Sequence, residues 1–389
     1  MATKTNYEKN GQKYYRVTAS IGRDSSGKLI RKEFYGKSKK EAELKRDEYI
    51  DGIKNGLNSN FKDVTLGKLI YTWLFEVVRV SSNIKPSTFE RYEGIYRNYI
   101  KDSEIYSLKL NNLKSINLQR YYNNLYSIGK SSNVIKNLNK LLKTFFNYAV
   151  NEGYMIKNLC AGKNIVIPGE STVIKEEIIP FTDDEIKSIK KALEKNRLKA
   201  LILLDLGTGL RRGELLALKW RNVDINNCEL VVKETLKRVT IINEDGSRTV
   251  ETLTHAPKTK HSYRSVPIPS NLIPILKEQQ RIQKLDKLKS GDSYISNDYV
   301  FTTEIGNHID ERNLTRSYKR ILEKADVKYR KFHNLRHTYA TKLFQRNVPL
   351  KTVQVLLGHS DINLTANIYT HVIPKEKSNA VDKLNDLFM

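Results

Sequence analysis

From Thr65 to about Lys157, apolar residues recur every three or four positions with hardly a break. TLGKLIYTWLFEVV, PSTFERYEGIYRNYI, NLQRYYNNLYSIG and SNVIKNLNKLLKTFFNYAVNEG all carry the pattern. Such spacing lines up one face of a helix and scatters over both faces of a strand, so this block is committed to four packed helices. Pro86 suits a first helical turn, where its missing N–H is not needed, and Gly129 and Gly153 suit helix ends. Lys, Arg and Tyr stud the outward faces, a pattern that solvation alone also explains.

The period changes on either side. Ahead of the block, QKYYRVTASI and KLIRKEFYG alternate with period 2 around the turn-rich RDSSG, which predicts a hairpin. SKKEAELKRDEYIDGIKNG then predicts a helix, with Ser38 as N-cap and Glu41 at the capping-box spacing. Residues 1–57 therefore form a small sheet-plus-helix module, carrying 14 Lys and Arg against 8 acidic residues. It is short for an independent core, and a structural appendage would have the same pattern. The polar GLNSNFKD reads as a linker, and NIVIPGESTVIKEEIIP as a second one. FTDDEIKSIKKALEK opens a further helix. Beyond it, helices alternate with one strand-rich insert from about Glu229 to Pro269, containing ELVVKETLKRVTII, the turn NEDGS and two strands around HAPKTKHSYRSVP. No repeat of fixed period occurs.

Composition narrows the function. The chain has 389 residues, a formal charge of +25 and 39% hydrophobic content. That length allows two or three domains, and that content allows packed cores. So strong a positive field favours polyanions, nucleic acid above all, or an anionic membrane surface. Much of the excess is lysine in a chain rich in Asn, Ile and Tyr, a bias that AT-rich coding produces by itself. No basic amphipathic helix favours a membrane, no apolar run reaches spanning length, and no leader pattern opens the chain. Cys160 and Cys228 stand apart from each other and from histidine clusters, so neither a disulfide framework nor a zinc-ligand spacing is present. A soluble, cytoplasmic protein is expected.

Four stretches near the carboxyl end hold more chemistry than packing requires. In LDLGTGLRRGELLALKW, Gly207 and Gly209 are expected to end one helix and place Arg211 at the start of the next. There an arginine adds a planar fork of donors to the helix's own unpaired N–H groups, and Glu214 is near enough to orient it. HAPKTKHSYRSVP predicts a hairpin with Lys258 and Lys260 at its turn, where lysines are usually solvated edge charges. In KFHNLRHTYATKLF, Phe332, Leu335, Tyr339 and Leu343 make a core-facing stripe. His333, Arg336 and His337 flank it, at a wall neither fully buried nor fully exposed. Three such side chains repel one another unless an anion lies between them. In VQVLLGHSDINLTANIYTHV, Gly358 caps a helix, His359 follows in the turn, and Tyr369 and His371 lie on the next short helix. Taken alone, Tyr369 is one of 22 tyrosines and packs like the rest. His333 and His337, with His359, also admit a metal site. Arg336 would sit between the ligands and no carboxylate accompanies them, so no metal is expected.

Together the stretches resemble one family, the tyrosine recombinases or phage integrases. The matching pattern is T-G-x-R-x-x-E at Thr208–Glu214, the lysine at Lys258, H-x-x-R-H at His333–His337, L-G-H at Leu357–His359 and Y-T-H at Tyr369–His371. The long strand insert before Lys258 leaves nearby Lys260 as the other candidate for the lysine. The resemblance implies a multidomain α+β fold: an arm-type DNA-binding module at 1–57, an all-α core-binding domain at 63–163 and a mostly α catalytic domain with a β insert at 176–389. It is similar above all to integrases of conjugative transposons and related phages. It implies that Arg211, Arg336 and His359 bind the scissile phosphodiester, and that Tyr369 attacks phosphorus to give a 3′-phosphotyrosyl link. His333 would be the base, Lys258 the acid for the departing 5′-oxygen, Glu214 a support for Arg211, and His337 a structural residue. No cofactor, metal or Walker loop is implied, because the phosphotyrosine conserves the bond energy. Partners implied are duplex DNA with core-type and arm-type sites, three further copies of the chain in a tetramer on two sites, and an excisionase and a host DNA-bending protein. The tail VDKLNDLFM is amphipathic and suits packing in the same or a neighbouring protomer. Type IB topoisomerase chemistry and a non-catalytic DNA-binding regulator on the same scaffold are the alternatives.

Overall fold

The computed structural model describes residues 7–9, 12–23, 29–54, 64–162, 165–169, 179–243, 245–256 and 263–369. GLNSNFKD, most of NIVIPGESTVIKEEIIP, Lys258 and Lys260, His371 and the tail VDKLNDLFM lie outside them. The chain divides into two compact units, residues 1–174 with 241–248, and residues 175–240 with 249–389.

In the first unit, strands β1 (Tyr7–Lys9), β2 (Gln12–Arg23) and β3 (Leu29–Gly36) make an antiparallel sheet in that order. The expected hairpin is β2–β3, with a bulge between Ser20 and Gly22; β1 adds an edge that the alternation did not signal. Helix α1 (Lys39–Lys54) packs on β2 and β3. Its capping box is displaced by one residue: Ser38 Oγ accepts from Glu41 N–H at 3.1 Å, while Glu41 Oε2 accepts from Lys37 N–H at 2.8 Å. Gly36 is needed at this junction, because a Cβ there would come within 2.5 Å of Ala42 N.

The helical block forms α2 (Leu66–Thr72), α3 (Pro86–Tyr99), α4 (Ser115–Ser127) and α5 (Ser132–Asn151), close to the segments that the period marks out. Pro86 is the first residue of α3, and Gly129 and Gly153 adopt φ of +83° and +76° just beyond α4 and α5. One feature escapes the period: α2 widens into a π-helical turn over Trp73–Val78, closed by Arg79 N–H to Leu74 O at 2.9 Å. The core is aromatic as well as aliphatic, with Phe145 edge-on to Trp73 at 5.6 Å between centroids. Residues 241–248 belong to this unit: Ile242 is buried in its core and Arg248 pairs with Glu93 at 2.5 Å.

The second unit holds α6 (Asp183–Ala192), α7 (Lys199–Thr208), α8 (Arg212–Leu216), α9 (Ile273–Ser290), α10 (Glu311–Lys324), α11 (Asn334–Phe344), α12 (Leu350–Leu357) and α13 (Ile362–Tyr369). Helix α7, reading KALILLDLGT, is apolar almost all round because it is buried almost all round, and α11 packs along it. Strands β4 (Val223–Asp224), β5 (Glu229–Val232) and β8 (Arg264–Pro267) form one sheet, and β6 (Thr235–Ile242) pairs with β7 (Arg248–His255). The strands on either side of Lys258 therefore do not make the expected hairpin among the described residues. β7 joins β6, whereas β8 runs antiparallel to β5, with Val232 opposite Arg264 and Leu230 opposite Val266. No described helix is long and apolar enough to cross a membrane.

The two tryptophans, Trp73 and Trp220, fall in different units, so each reports on one. In a Trp220→Phe background, Phe145→Ala is expected to lower the stability read by Trp73 fluorescence in a urea melt by about 3–5 kcal/mol, through lost burial and a residual cavity. A change under about 1 kcal/mol would show that the core refills the space.

Candidate active site

Helix α12 ends in LLGH, and its last carbonyls have no following turn to accept. As the chain reverses through Gly358 at φ +64°, His359 N–H donates to Gln354 O at 3.2 Å and Gly358 N–H to Val355 O at 3.0 Å. The next three carbonyls are taken by arginines. Leu356 O accepts from Arg264 Nε at 2.8 Å, Leu357 O from Arg336 Nη2 at 2.7 Å and Gly358 O from Arg211 Nη2 at 3.1 Å. Arg264 comes from β8, Arg336 from α11 and Arg211 from the start of α8, so stretches far apart in sequence meet at one helix terminus. The negative end of the α12 dipole suits those guanidinium groups.

Each arginine is held at its other end too. Arg211 is the N-cap residue of α8; Glu214 Oε2 accepts its N–H at 3.0 Å and Glu214 Oε1 accepts from Nη1 at 2.7 Å. Glu214 thus orients Arg211, as the three-residue spacing suggests. Gly209 alone makes the turn that leads there, at φ +61°, with its N–H on Asp205 O. Gly207, expected to share that role, lies inside α7, where a Cβ would come within 2.5 Å of Leu272 Cδ1. Arg336 donates through Nη1 to Gly209 O at 2.7 Å and is 1% exposed. It is buried, not at a wall. The reason is that its neighbours on α11, Leu335 and Ala340, are themselves fully buried, so the flank of the stripe is covered as well. Burial and the nearby Arg211 lower its pKa to about 9, which leaves it charged at neutral pH. Glu214 stays ionised because Arg264 and Arg211 outweigh the burial that opposes its charge. Asp205, wholly buried beside Arg336, is pushed well above the carboxylate range by desolvation, and its Oδ1 has no hydrogen-bond partner. Three guanidinium groups therefore face one ionised carboxylate.

The histidines do not add to that charge in the free protein. Desolvation, then neighbouring cations, lowers His333 and His337 to about 4 and His359 to about 3. His333 caps α11 and keeps an exposed edge, yet it is crowded from below; its ring centroid lies 4.7 Å from that of His337, nearly perpendicular to it. His337 Nδ1 is buried without a hydrogen-bond partner. His359 Nδ1 meets Thr365 Oγ1 at 2.9 Å and its backbone oxygen accepts from Gln354 Nε2 at 3.0 Å, so the turn is fixed and Nε2 is the ring nitrogen left to meet a ligand. Helix α13 packs on α12 and α11 and ends at Tyr369, whose side chain is outside the described residues, as is Lys258. Among the described residues no group of three or more His, Cys, Asp or Glu is placed to hold a metal ion.

The phage integrase family matches residues 180–376, and a phage integrase N-terminal SAM-like domain matches residues 65–126. A protein of Caldanaerobacter subterraneus subsp. tengcongensis named "Tyrosine recombinase XerC-like" is 63% identical over 393 residues, covering 100% of both chains. The chain belongs to the phage integrase family. As a tyrosine recombinase it is an enzyme of site-specific DNA recombination. Two solved structures share the fold. The Tn1549 transposon integrase, in complex with transposon right end DNA, aligns with a TM-score of 0.65 at 21% identity, over 83% of this chain and 100% of that one. A lambda integrase tetramer bound to a Holliday junction aligns with a TM-score of 0.54 at 17% identity, over 92% of each.

Three residues of this recombinase's site were not singled out by the motifs: Arg264, Asp205 and Thr365. For Arg264 a signal existed. It shares the parity of Val266 on β8, and an arginine in the inward register of a strand has to be paired. Asp205 and Thr365 have no comparable mark.

The lowered imidazoles make stability depend on pH. An unfolded histidine titrates near 6.5, so below that pH the unfolded chain takes up protons that the native site refuses, and stability falls; above it the contribution is flat. Thermal midpoints are expected to hold level from about pH 8 to 7 and to drop from about 6.5 to 5, less steeply in His337→Asn. Circular-dichroism melts at each pH measure both slopes. Equal slopes would mean that His337 takes up its proton as readily in the native chain as in the unfolded one.

Proposed function

We propose that this recombinase cuts and rejoins DNA through a 3′-phosphotyrosyl intermediate to integrate and excise a mobile element. The observation that carries the reading is the gathering of Arg211, Arg336 and His359 around the α12 terminus, where buried positive charge exceeds negative charge. A phosphodiester supplies the missing anion. Arg211, whose side chain is 36% exposed, meets the non-bridging oxygens, Arg336 acts from the floor, and His359 Nε2 donates to the same oxygens. Donors fixed before the substrate arrives stabilise the pentacoordinate transition state without reorganisation. The phosphodiester's own charge raises the proton affinity of His333, which takes the Tyr369 phenol proton as the phenolic oxygen attacks phosphorus. Lys258 protonates the departing 5′-oxygen, and Glu214 keeps Arg211 in place. A 5′-hydroxyl of the other duplex then attacks the phosphotyrosine, which releases Tyr369 and restores the phosphodiester.

In this reading residues 1–57 bind arm-type sites, residues 63–163 grip the core site, and residues 176–389 perform the chemistry. Two strand exchanges between two sites require four protomers, the number in the lambda integrase tetramer bound to a Holliday junction. An excisionase and a DNA-bending protein supply direction. Residues 1–57 deleted, the chain keeps core binding and loses the bridging of distant sites. Integration unchanged by that deletion would remove the arm-site role.

A nicked duplex from the end of the element, incubated in excess chelator, tests the chemistry. Wild type is expected to form an SDS-resistant adduct, Tyr369→Phe to bind with similar affinity and form none, and Arg211→Ala to slow adduct formation by about 10²–10³-fold. An adduct with Tyr369→Phe would assign the nucleophile elsewhere. Tight binding by wild type without any adduct, over a panel of junction sequences, would leave a non-catalytic DNA-binding protein. Binding should weaken steeply with salt through counterion release, and a shallow slope would mark the lysine excess as compositional.

A further inference from the structure

Arg264 lies outside the set that faces the phosphodiester. It is 8% exposed on β8. Burying a guanidinium is expensive, and at the same position an apolar side chain would pack against Val232 and Leu230 of the neighbouring strand without that penalty. What the charge does instead is specific. Its Nη2 donates to Glu214 Oε2 at 2.9 Å and its Nε to Leu356 O at 2.8 Å. One planar group thus spans the start of α8 and the end of α12. The carboxylate that orients Arg211 is itself oriented by Arg264, and so is the terminus from which His359 projects.

We propose that Arg264 is a positioning residue for strand cleavage, holding Glu214 and the His359 turn in the register at which Arg211 meets the phosphodiester. The proposal rests on the recombinase reading above. Glu214 is faced by Arg211 from α8, Arg264 from β8, Arg336 from α11 and Asp205 from α7. Without Arg264, burial opposes its ionisation with only Arg211 left to offset it. A protonated Glu214 then holds Arg211 by a weaker, neutral bond. Lysine restores the charge but not the fork, because a single ammonium does not reproduce the planar two-acceptor geometry.

Adduct formation on the nicked duplex, followed from about pH 5.5 to 8.5 for wild type, Tyr369→Phe, Arg264→Gln and Arg264→Lys, tests it, with DNA affinity measured in parallel by fluorescence anisotropy. Arg264→Gln is expected to lower the rate by about 10–100-fold near pH 6.5, the range found for groups that orient metal-ligating side chains, and to recover part of it as pH rises. DNA affinity should stay within about twofold, and Arg264→Lys should fall between wild type and Arg264→Gln, with its acid limb displaced the same way. A rate within twofold of wild type at every pH overturns the proposal. So does a loss that is equal at all pH values and matched by a lower thermal midpoint, which describes a fold-stabilising residue only. Should Arg264→Gln not fold, the Arg264→Lys profile decides: a displaced acid limb supports the role and a wild-type profile removes it. No adduct with wild type would fail the recombinase reading itself, whereas normal adducts with wild type and both Arg264 variants, and none with Tyr369→Phe, would remove only the role of Arg264.

Discussion

The second unit turns on the capture of three successive carbonyls at the end of α12. A helix C-terminus leaves acceptors unmet, and here the turn satisfies two of them while guanidinium groups satisfy Leu356, Leu357 and Gly358. Because each arginine belongs to a different element, the helix end works as a common anchor for α8, β8 and α11. Charge-assisted hydrogen bonds are stronger and shorter than neutral ones, which favours a single arrangement of those elements. The same anchor fixes His359, the first residue beyond the helix.

Bringing three guanidinium groups together carries a repulsive penalty, and the surroundings offset only part of it. Glu214 is ionised and shared between Arg211 and Arg264, while Asp205, desolvated, contributes little negative charge. Neutral carbonyls satisfy donors without cancelling charge. Burial first and the neighbouring cations second favour the neutral imidazoles, so His333, His337 and His359 add little to the repulsion that their spacing implied. The free site therefore carries more positive than negative charge, beside imidazoles held neutral. That combination suits phosphoryl transfer, where little covalent chemistry falls to the protein and most of the catalysis is placement of charge.

How much of this was legible in the sequence depended on whether a residue's role is local. The helical block could be read because period 3.6 is a local property, and Glu214 on Arg211 because three residues separate them. The burial of Arg336 was not legible: its position beside the apolar stripe is local, but what covers that flank is α7 and the α12 turn, brought there by packing. Gly207 resembles a turn glycine next to Gly209, yet it serves a close approach to Leu272. The lysine hairpin failed for a similar reason. Alternation identifies strands without naming their partners, and β7 and β8 pair with different strands.

That last difference bears on how the site is put together. Lys258 precedes Arg264 by six residues, and Arg264 is fastened to Glu214 and to the α12 terminus. In a hairpin, the two strands beside a lysine would move as one ladder, independent of the arginines. With β8 paired to β5 and its first residue bound to Glu214, the chain that carries Lys258 is tied at its downstream end to the group that orients Arg211. In the proposed reaction, the lysine segment and Arg211 then share one point of attachment at Glu214. Arg211 and β8 are therefore joined twice, through the Glu214 carboxylate and through the α12 terminus.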